Sequence, residues 1–474
     1  MKTKNIVYNK LNLENTLCLF VLLNPIFDIL SFISRKYLSY EISISLLLRP
    51  VIPLIIGMIL FSKSTKKKKI LIIIFVYLIY GIIHLILYNK NRMGCSFGTV
   101  LDESRYIANY SFFIFILAIY YRVFYKKNTG KLYKSVILAN VVYITSIYLA
   151  IITGTSTSSY IEGIGYKGWF ETANSIGAVL IFASTIILSR IENSKSIKER
   201  FFLTLLIILN GIYLTTLIGT RVGLFGFVLL LTIYLIINIM CKIIKKDRIN
   251  KKHLLLISGF LLIITLIIVI MGSNTLKRRK MLESFSENDI SNTANMKSHI
   301  TVDLNILYSK IINNQLEDGF MTGFQKKSVI DLYNYANKYN IDSVDTRMQQ
   351  LIYHTALVKN QKSISMVLFG NGYLINTNEL VLEMELPAFF YNFGIFGAIL
   401  YVGIVIVIFI YSIIMLIKYK RRIDEEFLMI LIGNGLVFLF STLAGFTFFS
   451  PSSMLLIVIM NVILTNKNAE IRGD

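Results

Sequence analysis

The sequence predicts an all-α, polytopic membrane bundle of about 12 transmembrane helices, with a large helical extracytoplasmic loop between spans 9 and 10. Three observations lead to this fold class. Hydrophobic residues make up 55% of the chain and the mean hydropathy is +0.64, which is too apolar for a soluble surface. Apolar stretches long enough to cross a bilayer recur along the sequence. Basic residues concentrate in alternate gaps between these stretches.

Each predicted span is a mainly apolar stretch that is long enough for a helix to cross about 30 Å of hydrocarbon. We place the spans at residues 16–33, 42–61, 70–88, 106–124, 133–152, 172–189, 201–218, 222–241, 254–272, 386–413, 427–446 and 450–465. They divide the chain into helices 1–9 (residues 1–272), an extracytoplasmic loop domain (273–385), and helices 10–12 with a cytoplasmic tail (386–474).

The distribution of positive charge predicts the orientation of the spans. Alternate gaps, beginning with the N-terminal segment, contain 29 of the 49 Lys and Arg residues, whereas the short gaps on the other side contain six. Because basic short loops remain cytoplasmic, we predict that both termini lie in the cytoplasm. The abundance of Ile, Lys and Asn is typical of an AT-rich bacterial genome, so the expected location is a bacterial inner membrane. The net charge of +22 is spread over these inner loops, which favours contact with the anionic lipid bilayer over nucleic acid.

The long segment between spans 9 and 10 is polar, but its apolar residues recur near the helical period. Such faces centre on Leu307, Val329 and Leu351, and a short apolar edge follows at residues 364–369. The pattern predicts three helices over the outer mouth of the bundle. A loop of this length in a protein with otherwise short loops is typically functional.

Ionisable residues gather near the outer ends of the spans, where burial of charge is unfavourable. Arg49 lies about seven residues into span 2, or roughly 10 Å at the helical rise. Arg105 and Arg221 begin spans 4 and 8, Lys167 precedes span 6, and Glu385 precedes span 10. The alternative is snorkelling of the basic side chains to the interface, which applies best to Lys167 and Arg105.

Arginines at the outer edge of the apolar core suit a pyrophosphate attached to a lipid. Guanidinium groups bind phosphate oxygens bidentately, keep their charge, and stabilise a departing pyrophosphate in a site of low dielectric. The three cysteines and four histidines have neither disulfide nor zinc-ligand spacing. The sequence therefore predicts no metal and no cofactor.

Four short motifs occur in order along the chain. They are GWFETANS at residues 168–175, GTRVGL at 219–224, FGNGY at 369–373, and Glu385 followed by NFGIFG at 392–397. Together they resemble signature elements of O-antigen ligase and polymerase-type membrane proteins, at matching places in the topology. The resemblance covers about residues 16–465. Within the third motif, Gly370 and Gly372 predict a tight turn.

The resemblance implies a polysaccharide polymerase or ligase that uses undecaprenyl-diphosphate-linked oligosaccharides. The span-start arginine of the family corresponds to Arg221 and its large-loop arginine to Arg347, so we expect these two residues to bind the pyrophosphate. Arg49 and Arg105 are further candidates for the pyrophosphate. The ligase branch has an important loop histidine, for which His354 is the candidate. Its neighbours do not reproduce the ligase pattern, which favours a polymerase.

The catalytic and glycan-binding candidates each have a structural alternative. Glu385 or His354 is the candidate base that takes the proton of the attacking hydroxyl. The alternatives are an ion pair for Glu385 and simple packing for His354. Asn174, Trp169 and Lys167 are the candidates for glycan binding. The alternatives are a helix cap for Asn174 and an interfacial anchor for Trp169.

The sequence thus predicts a metal-independent glycosyltransferase that joins lipid-linked repeat units outside the membrane and releases undecaprenyl diphosphate. The expected partners are the lipid-linked oligosaccharide, the bilayer, a flippase and a chain-length regulator. Two alternatives remain, a ligase that transfers finished polymer to another acceptor and a lipid-linked glycan flippase or transporter. The ionisable residues at the outer mouth favour an enzyme, because transporter sites tend to lie near the midplane.

Overall fold

The computed structural model describes residues 12–38, 47–91, 97–159, 164–191, 194, 196–245, 273–278, 304–316, 321–341, 346–372, 380–445 and 447–473. Within these residues the protein is all-α, because its β pairing is limited to an isolated bridge between Ser158 and Tyr166. The predicted fold class is therefore confirmed. The predicted ninth span, at 254–272, lies outside the described residues.

The helices of the described chain are named in chain order. They are α1 (Leu13–Tyr37), α2 (Val51–Ser62), α3 (Lys67–Asn91), α4 (Phe97–Phe124), α5 (Gly130–Ile152), α6 (Ala173–Ile191), α7 (Ile197–Ile212), α8 (Arg221–Lys245), α9 (Leu304–Ile312), α10 (Gly323–Lys338), α11 (Thr346–Gln361), α12 (Ile364–Phe369), α13 (Glu385–Tyr401), α14 (Gly403–Lys418), α15 (Glu425–Leu443) and α16 (Pro451–Arg472). A π-helical turn at Tyr213–Leu217 continues α7.

Nine helices of the described chain, namely α1, α3 to α8, α15 and α16, are long and apolar enough to cross a membrane. Each coincides with a predicted span. The bent pair of α13 and α14 brings the total to ten, so the predicted count of about 12 is not reached within the described residues. The central helix is α6, which packs against α5, α7, α8, α15 and α16. Its side chains are buried around almost the whole circumference.

Two predicted spans are interrupted where the sequence pattern indicated continuous helices. In the second span, Arg49 and Pro50 form a turn, and α2 begins only after it. Proline suits the start of a helix because it has no N–H to donate. In the tenth span, the axes of α13 and α14 differ by 54°. Within α13, Gly394 has a φ of 69°, which breaks the helical geometry.

The three helices predicted in the long loop are present as α9, α10 and α11, and the apolar edge forms the short helix α12. The apolar faces of α9 to α11 share a small core of their own around Leu307, Val329, Leu332 and Tyr353. A capping box between Thr322 and Gln325 begins α10. Since α11 and α12 pack against α13, we call the end of the bundle beside them the loop side.

Candidate functional site

Three bundle helices begin close together on the loop side. The Ser175 hydroxyl, in the first turn of α6, lies 2.5 Å from the hydroxyl of Ser450, the residue immediately before α16. On the other side of the same turn, a Cβ added at Gly177 would lie 3.7 Å from Thr220 Oγ1, next to the start of α8. Helix N-termini carry free N–H groups and the positive end of the helix dipole. The region around the start of α6, which we call the mouth, is therefore suited to an anion.

Arg221 is the first residue of α8 and borders the mouth. Two hydrogen bonds hold Thr220, the residue before it. Thr220 Oγ1 accepts the N–H of Gly223 at 3.0 Å, and the Thr220 carbonyl accepts the Thr275 hydroxyl at 3.2 Å. The Arg221 side chain is exposed, and it forms no ion pair with any residue that the structure describes. Its guanidinium is therefore available for an anionic ligand.

Asp28 and Arg49 form an ion pair at the mouth that the sequence-based assignment missed. Arg49 Nη2 lies 2.5 Å from Asp28 Oδ1 and 3.0 Å from Ser452 Oγ. The hydroxyls of Ser452 and Tyr143 both donate to Asp28 Oδ2, at 2.5 Å and 3.0 Å. Arg49 is only 8% exposed, so its guanidinium is the counter-ion of Asp28. The available signal was a carboxylate inside the first apolar stretch.

The glycan-binding candidates lie at the start of α6 and in the turn before it. Trp169 Nε1 donates to Thr155 Oγ1 at 2.9 Å, and Lys167 Nζ donates to the Glu171 carbonyl at 3.0 Å. Burial lowers the pKa of Lys167, and the Glu171 carboxylate partly opposes that shift. Asn174 is half-buried in the first turn of α6, and its amide makes no hydrogen bond to the described chain. Of the three, Asn174 keeps an uncommitted side chain.

Arg347 joins the loop helices to the bundle. From α11, its Nη1 and Nη2 donate to the carbonyls of Leu443 and Ala444 at 2.9 Å and 3.0 Å, and its Nε donates to Glu383 Oε2 at 3.1 Å. These carbonyls belong to the end of α15, where the negative pole of the helix dipole favours a cation. The guanidinium therefore has protein partners on three of its nitrogens, unlike that of Arg221.

Glu385 is completely buried at the start of α13 and receives three backbone N–H groups. Thr447 and Phe449 donate to Oε1 at 2.7 Å and 2.9 Å, and Phe448 donates to Oε2 at 2.8 Å. These three residues form the turn that leads into α16. The carboxylate thus organises the backbone near the mouth, and in this arrangement it is closed to a substrate hydroxyl.

His354 is also completely buried, on the face of α11 that turns toward the loop core. Its Nε2 lies 3.0 Å from the Leu380 carbonyl and therefore carries the donated proton. Burial lowers the pKa of His354 to about 4, and the hydrogen bond to Leu380 acts in the opposite direction. The histidine is neutral at pH 7 and closed to solvent, which suits the packing alternative better than a catalytic base.

Lowering the pH should destabilise the folded protein through His354. The unfolded histidine takes up a proton near its ordinary pKa of 6.5, whereas the folded histidine does so only near 4. Stability is therefore complete above pH 6.5 and falls as the pH drops through 4, by up to about 3 kcal/mol. Thermal unfolding in detergent between pH 7.5 and 4 measures this. His354→Gln, which keeps a donor for Leu380, should show a shallower pH dependence, and an identical dependence would contradict the assignment.

Arg105 is exposed on α4, where its Nη1 lies 2.6 Å from Asp102 Oδ1. No described contact connects this pair to the network of Asp28 and Arg49. The structure thus brings Arg49, Arg221 and Asn174 to the mouth, while Arg105 forms a surface ion pair. Surface pairs of this kind contribute little to stability.

A buried histidine–carboxylate pair supports the glycine turn of the third motif. His84 Nδ1 lies 2.6 Å from the Phe369 carbonyl, and its Nε2 lies 2.8 Å from Glu103 Oε1. Because the carbonyl only accepts, Nδ1 must donate, and one proton is then shared between Nε2 and the carboxylate. Both side chains are completely buried. In the sequence, His84 has no zinc-ligand spacing, and its neighbours did not indicate this carboxylate partner.

The turn itself is held tightly against α13. Gly370 and Gly372 have φ values of 83° and 80°, which confirms the predicted glycine turn. A Cβ at Gly370 would collide with the Asn392 carbonyl, and a Cβ at Gly372 would collide with the Tyr88 ring. The N–H of Gly372 donates to the Asn392 carbonyl at 2.8 Å. The glycines therefore serve close packing between the loop and the bundle.

Removing the Glu103 carboxylate should loosen this turn. Glu103→Leu leaves Nε2 of His84 buried without this partner and should lower the free energy of unfolding by about 1–3 kcal/mol. Glu103→Gln should cost less, because its amide can donate to Nε2. Thermal unfolding and hydrogen exchange of the Gly372 amide measure the effect. Asp102→Leu, at an exposed position of the same helix, is the control, and equal stability of both leucine variants would contradict the role.

The described residues contain no group of three or more His, Cys, Asp or Glu side chains that could hold a metal ion. The positively charged groups that the structure places around the mouth include guanidinium groups and helix N-termini. Such groups can bind phosphate oxygens directly.

Comparison with known proteins identifies the family of the chain. A protein-family model described as "O-antigen ligase like membrane protein" matches residues 10–470, which is nearly the whole chain. A comparison with curated proteins found no match. The matched range includes α1 to α16 up to residue 470, and therefore both the mouth and the loop helices.

Proposed function

The chain belongs to the O-antigen ligase-like family of membrane proteins, and from that premise we propose that it is a polysaccharide polymerase. Membership implies an enzyme of the glycosyl-transfer type that acts on lipid-linked polysaccharide in a membrane. In the proposed reaction, oligosaccharide repeat units linked to undecaprenyl diphosphate are joined to one another. A hydroxyl of one unit attacks the anomeric carbon of the other glycan, and undecaprenyl diphosphate leaves.

The observation that carries this proposal is the uncommitted guanidinium of Arg221 beside three converging helix N-termini. A pyrophosphate needs neutralisation both when it binds and when it departs. Arg221 supplies a fork of donors that matches phosphate oxygens, and the start of α6 adds the positive end of a helix. Since the leaving group is already good, positioning and charge neutralisation are the main tasks of the protein. The proposed mechanism uses no metal ion.

The loop side is proposed to face the outside of a bacterial inner membrane. The support is the charge of the gaps, because the loops at the other end of the bundle contain most of the basic residues. Both termini are then cytoplasmic. A flippase would deliver the lipid-linked units to this side, and a chain-length regulator would act on the growing polymer there.

Arg347 and Asn174 have different proposed roles at this site. Arg347 holds the loop helices against the end of α15, and it would bind pyrophosphate only by exchanging these partners. Asn174 is proposed to hydrogen-bond the sugar next to the diphosphate, because its amide is uncommitted at the start of α6. Trp169 and Lys167 border the same turn and are proposed to contact sugars further from the reacting carbon.

Reconstitution tests the proposal directly. Purified protein in vesicles is given an undecaprenyl-diphosphate-linked oligosaccharide, with and without a chelator, and the products are separated by length. A polymerase yields a ladder of longer lipid-linked glycans in both conditions. A ligase yields transfer only when a second acceptor is supplied, and a flippase moves the lipid-linked glycan across the bilayer without changing its length. Either of the last two results would reject the polymerase.

A further inference from the structure

The proposed reaction releases a proton from the attacking hydroxyl. Neither of the two bases expected from the sequence, Glu385 and His354, is accessible to that hydroxyl in the structure. Both oxygens of Glu385 accept backbone N–H groups, and His354 is buried with its Nε2 bound to Leu380. Glu103 on the loop side is also completely buried. The structure therefore requires another proton acceptor if the reaction uses one.

The Asp28 carboxylate is held by hydrogen bonds and is still partly exposed. Its side chain is 23% exposed although it lies on the inward face of α1, on one stripe with Leu17, Val21, Asn24 and Ser31, which are all buried. That exposed part therefore faces an opening within the protein and not the lipid. Among the residues that the structure describes on the loop side, Asp102, Glu171 and Glu383 form ion pairs with exposed or partly exposed arginines. The carboxylate of Asp331, on α10, accepts the amide of Asn360 at 2.9 Å.

The hydrogen bonds of Asp28 leave one position on the carboxylate unused. An ionised carboxylate has about four lone-pair sites. Oδ2 accepts the hydroxyls of Ser452 and Tyr143, whereas Oδ1 accepts Arg49 alone among the residues that the structure describes. The second lone pair of Oδ1 is therefore available to a hydroxyl group. The three donors come from different elements and hold the carboxylate in one orientation.

Asp28 and Arg221 lie on opposite sides of the first turn of α6. Ser452, which donates to Asp28, is two residues after Ser450, and Ser450 contacts Ser175 in that turn. Thr220, which precedes Arg221, approaches the same turn at Gly177. The width of one helix, on the order of 10 Å, separates the two sides. A substrate that reaches both the proton acceptor and the pyrophosphate site would therefore lie across the N-terminal end of α6.

We propose that Asp28 is the catalytic base of this protein, an inference that rests on the proposed glycosyl transfer. The oxygen of the acceptor hydroxyl forms a bond to the anomeric carbon of the donor, and the proton of that hydroxyl passes to Asp28 Oδ1. The bond from the anomeric carbon to the phosphate oxygen breaks, and its electron pair leaves with undecaprenyl diphosphate. Arg49 is then a positioning residue, which orients Asp28 and balances its charge.

The test is Asp28→Asn in vesicles supplied with an undecaprenyl-diphosphate-linked oligosaccharide. Asparagine keeps the size of the side chain and an oxygen for Arg49, but it cannot take the proton. We expect kcat to fall by about 10²–10⁴-fold while the affinity for the lipid-linked substrate stays within about threefold. Asp102→Asn, the matched change at a surface ion pair, should leave kcat near that of the wild type.

Several outcomes separate this role from a structural one. Retention of wild-type kcat by Asp28→Asn would overturn the proposal, and so would an equal loss of kcat and substrate affinity in a folded variant. If Asp28→Asn does not fold, the double variant Asp28→Asn with Arg49→Gln removes the unpaired buried charge. This double variant must remain inactive, and its activity would equally overturn the proposal. If the wild type itself yields no polymer, the proposed function fails, and with it the premise for a base.

Discussion

Replacing Arg221 with alanine should stop chain extension. The guanidinium is the uncommitted cation at the mouth, and it is proposed to neutralise the diphosphate as it leaves. Loss of one donor that stabilises developing negative charge typically lowers kcat by about 10²–10³-fold, or roughly 3–4 kcal/mol of transition-state stabilisation. Lysine should restore part of the activity, because it keeps the charge but loses the bidentate fork.

The length of glycan on the lipid carrier is the measurement. Arg105→Ala is the matched control, because Arg105 is also an exposed arginine near the start of a bundle helix but pairs with Asp102. It should produce polymer of wild-type length. Polymer of wild-type length from Arg221→Ala would show that the pyrophosphate is held elsewhere.

Replacing Glu385 with leucine should prevent stable folding. Its carboxylate accepts three backbone N–H groups from Thr447, Phe448 and Phe449, all within 2.9 Å, in a fully buried position. Leucine would leave these donors without an acceptor, and each buried donor left unpaired costs about 1–3 kcal/mol. The total is comparable to the stability of a typical domain. Glutamine should be intermediate, because it keeps one accepting oxygen but presents an amide N–H₂ where an acceptor is needed.

Folded yield and the unfolding temperature in detergent measure this effect. Glu171→Leu is the control, because Glu171 is partly exposed and pairs with the exposed Arg35 at 3.1 Å. Its effect should stay within about 0.5 kcal/mol. A Glu385→Leu protein as stable as the wild type would show that water or other donors replace the carboxylate easily.

Local features of the chain were predicted well from the sequence. The apolar stretches of α1, α3 to α8, α15 and α16 coincide with predicted spans, and the apolar period of the long loop predicted α9 to α11. The glycine turn at Gly370 and Gly372 was predicted from its motif. Each of these depends on a few adjacent residues, since hydrophobic length, helical period and the freedom of glycine act locally.

The partners of the charged residues were predicted poorly. Glu385 and His354 were the candidate bases because they stand near the outer end of the bundle and in the loop. Burial and backbone donors decide their chemistry, and neither is visible in the surrounding sequence. Arg49 was a pyrophosphate candidate because the sequence did not show that Asp28 would lie opposite it. Likewise, the residues around His84 and Glu103, which lie on two neighbouring helices, did not indicate that these two side chains would form a hydrogen bond.

For this protein, the amino-acid order decides the all-α membrane bundle, its helical loop and its family, because hydrophobic length and short motifs are read within a single segment. Tertiary structure decides which charge is free and which is neutralised. Asp28 accepts a hydrogen bond from Ser452, which lies 424 positions later in the chain. Glu385 accepts hydrogen bonds from backbone N–H groups 62 to 64 positions later. The state of a buried charge is determined by the groups that other helices place beside it, so the sites at the mouth emerge only when those helices pack.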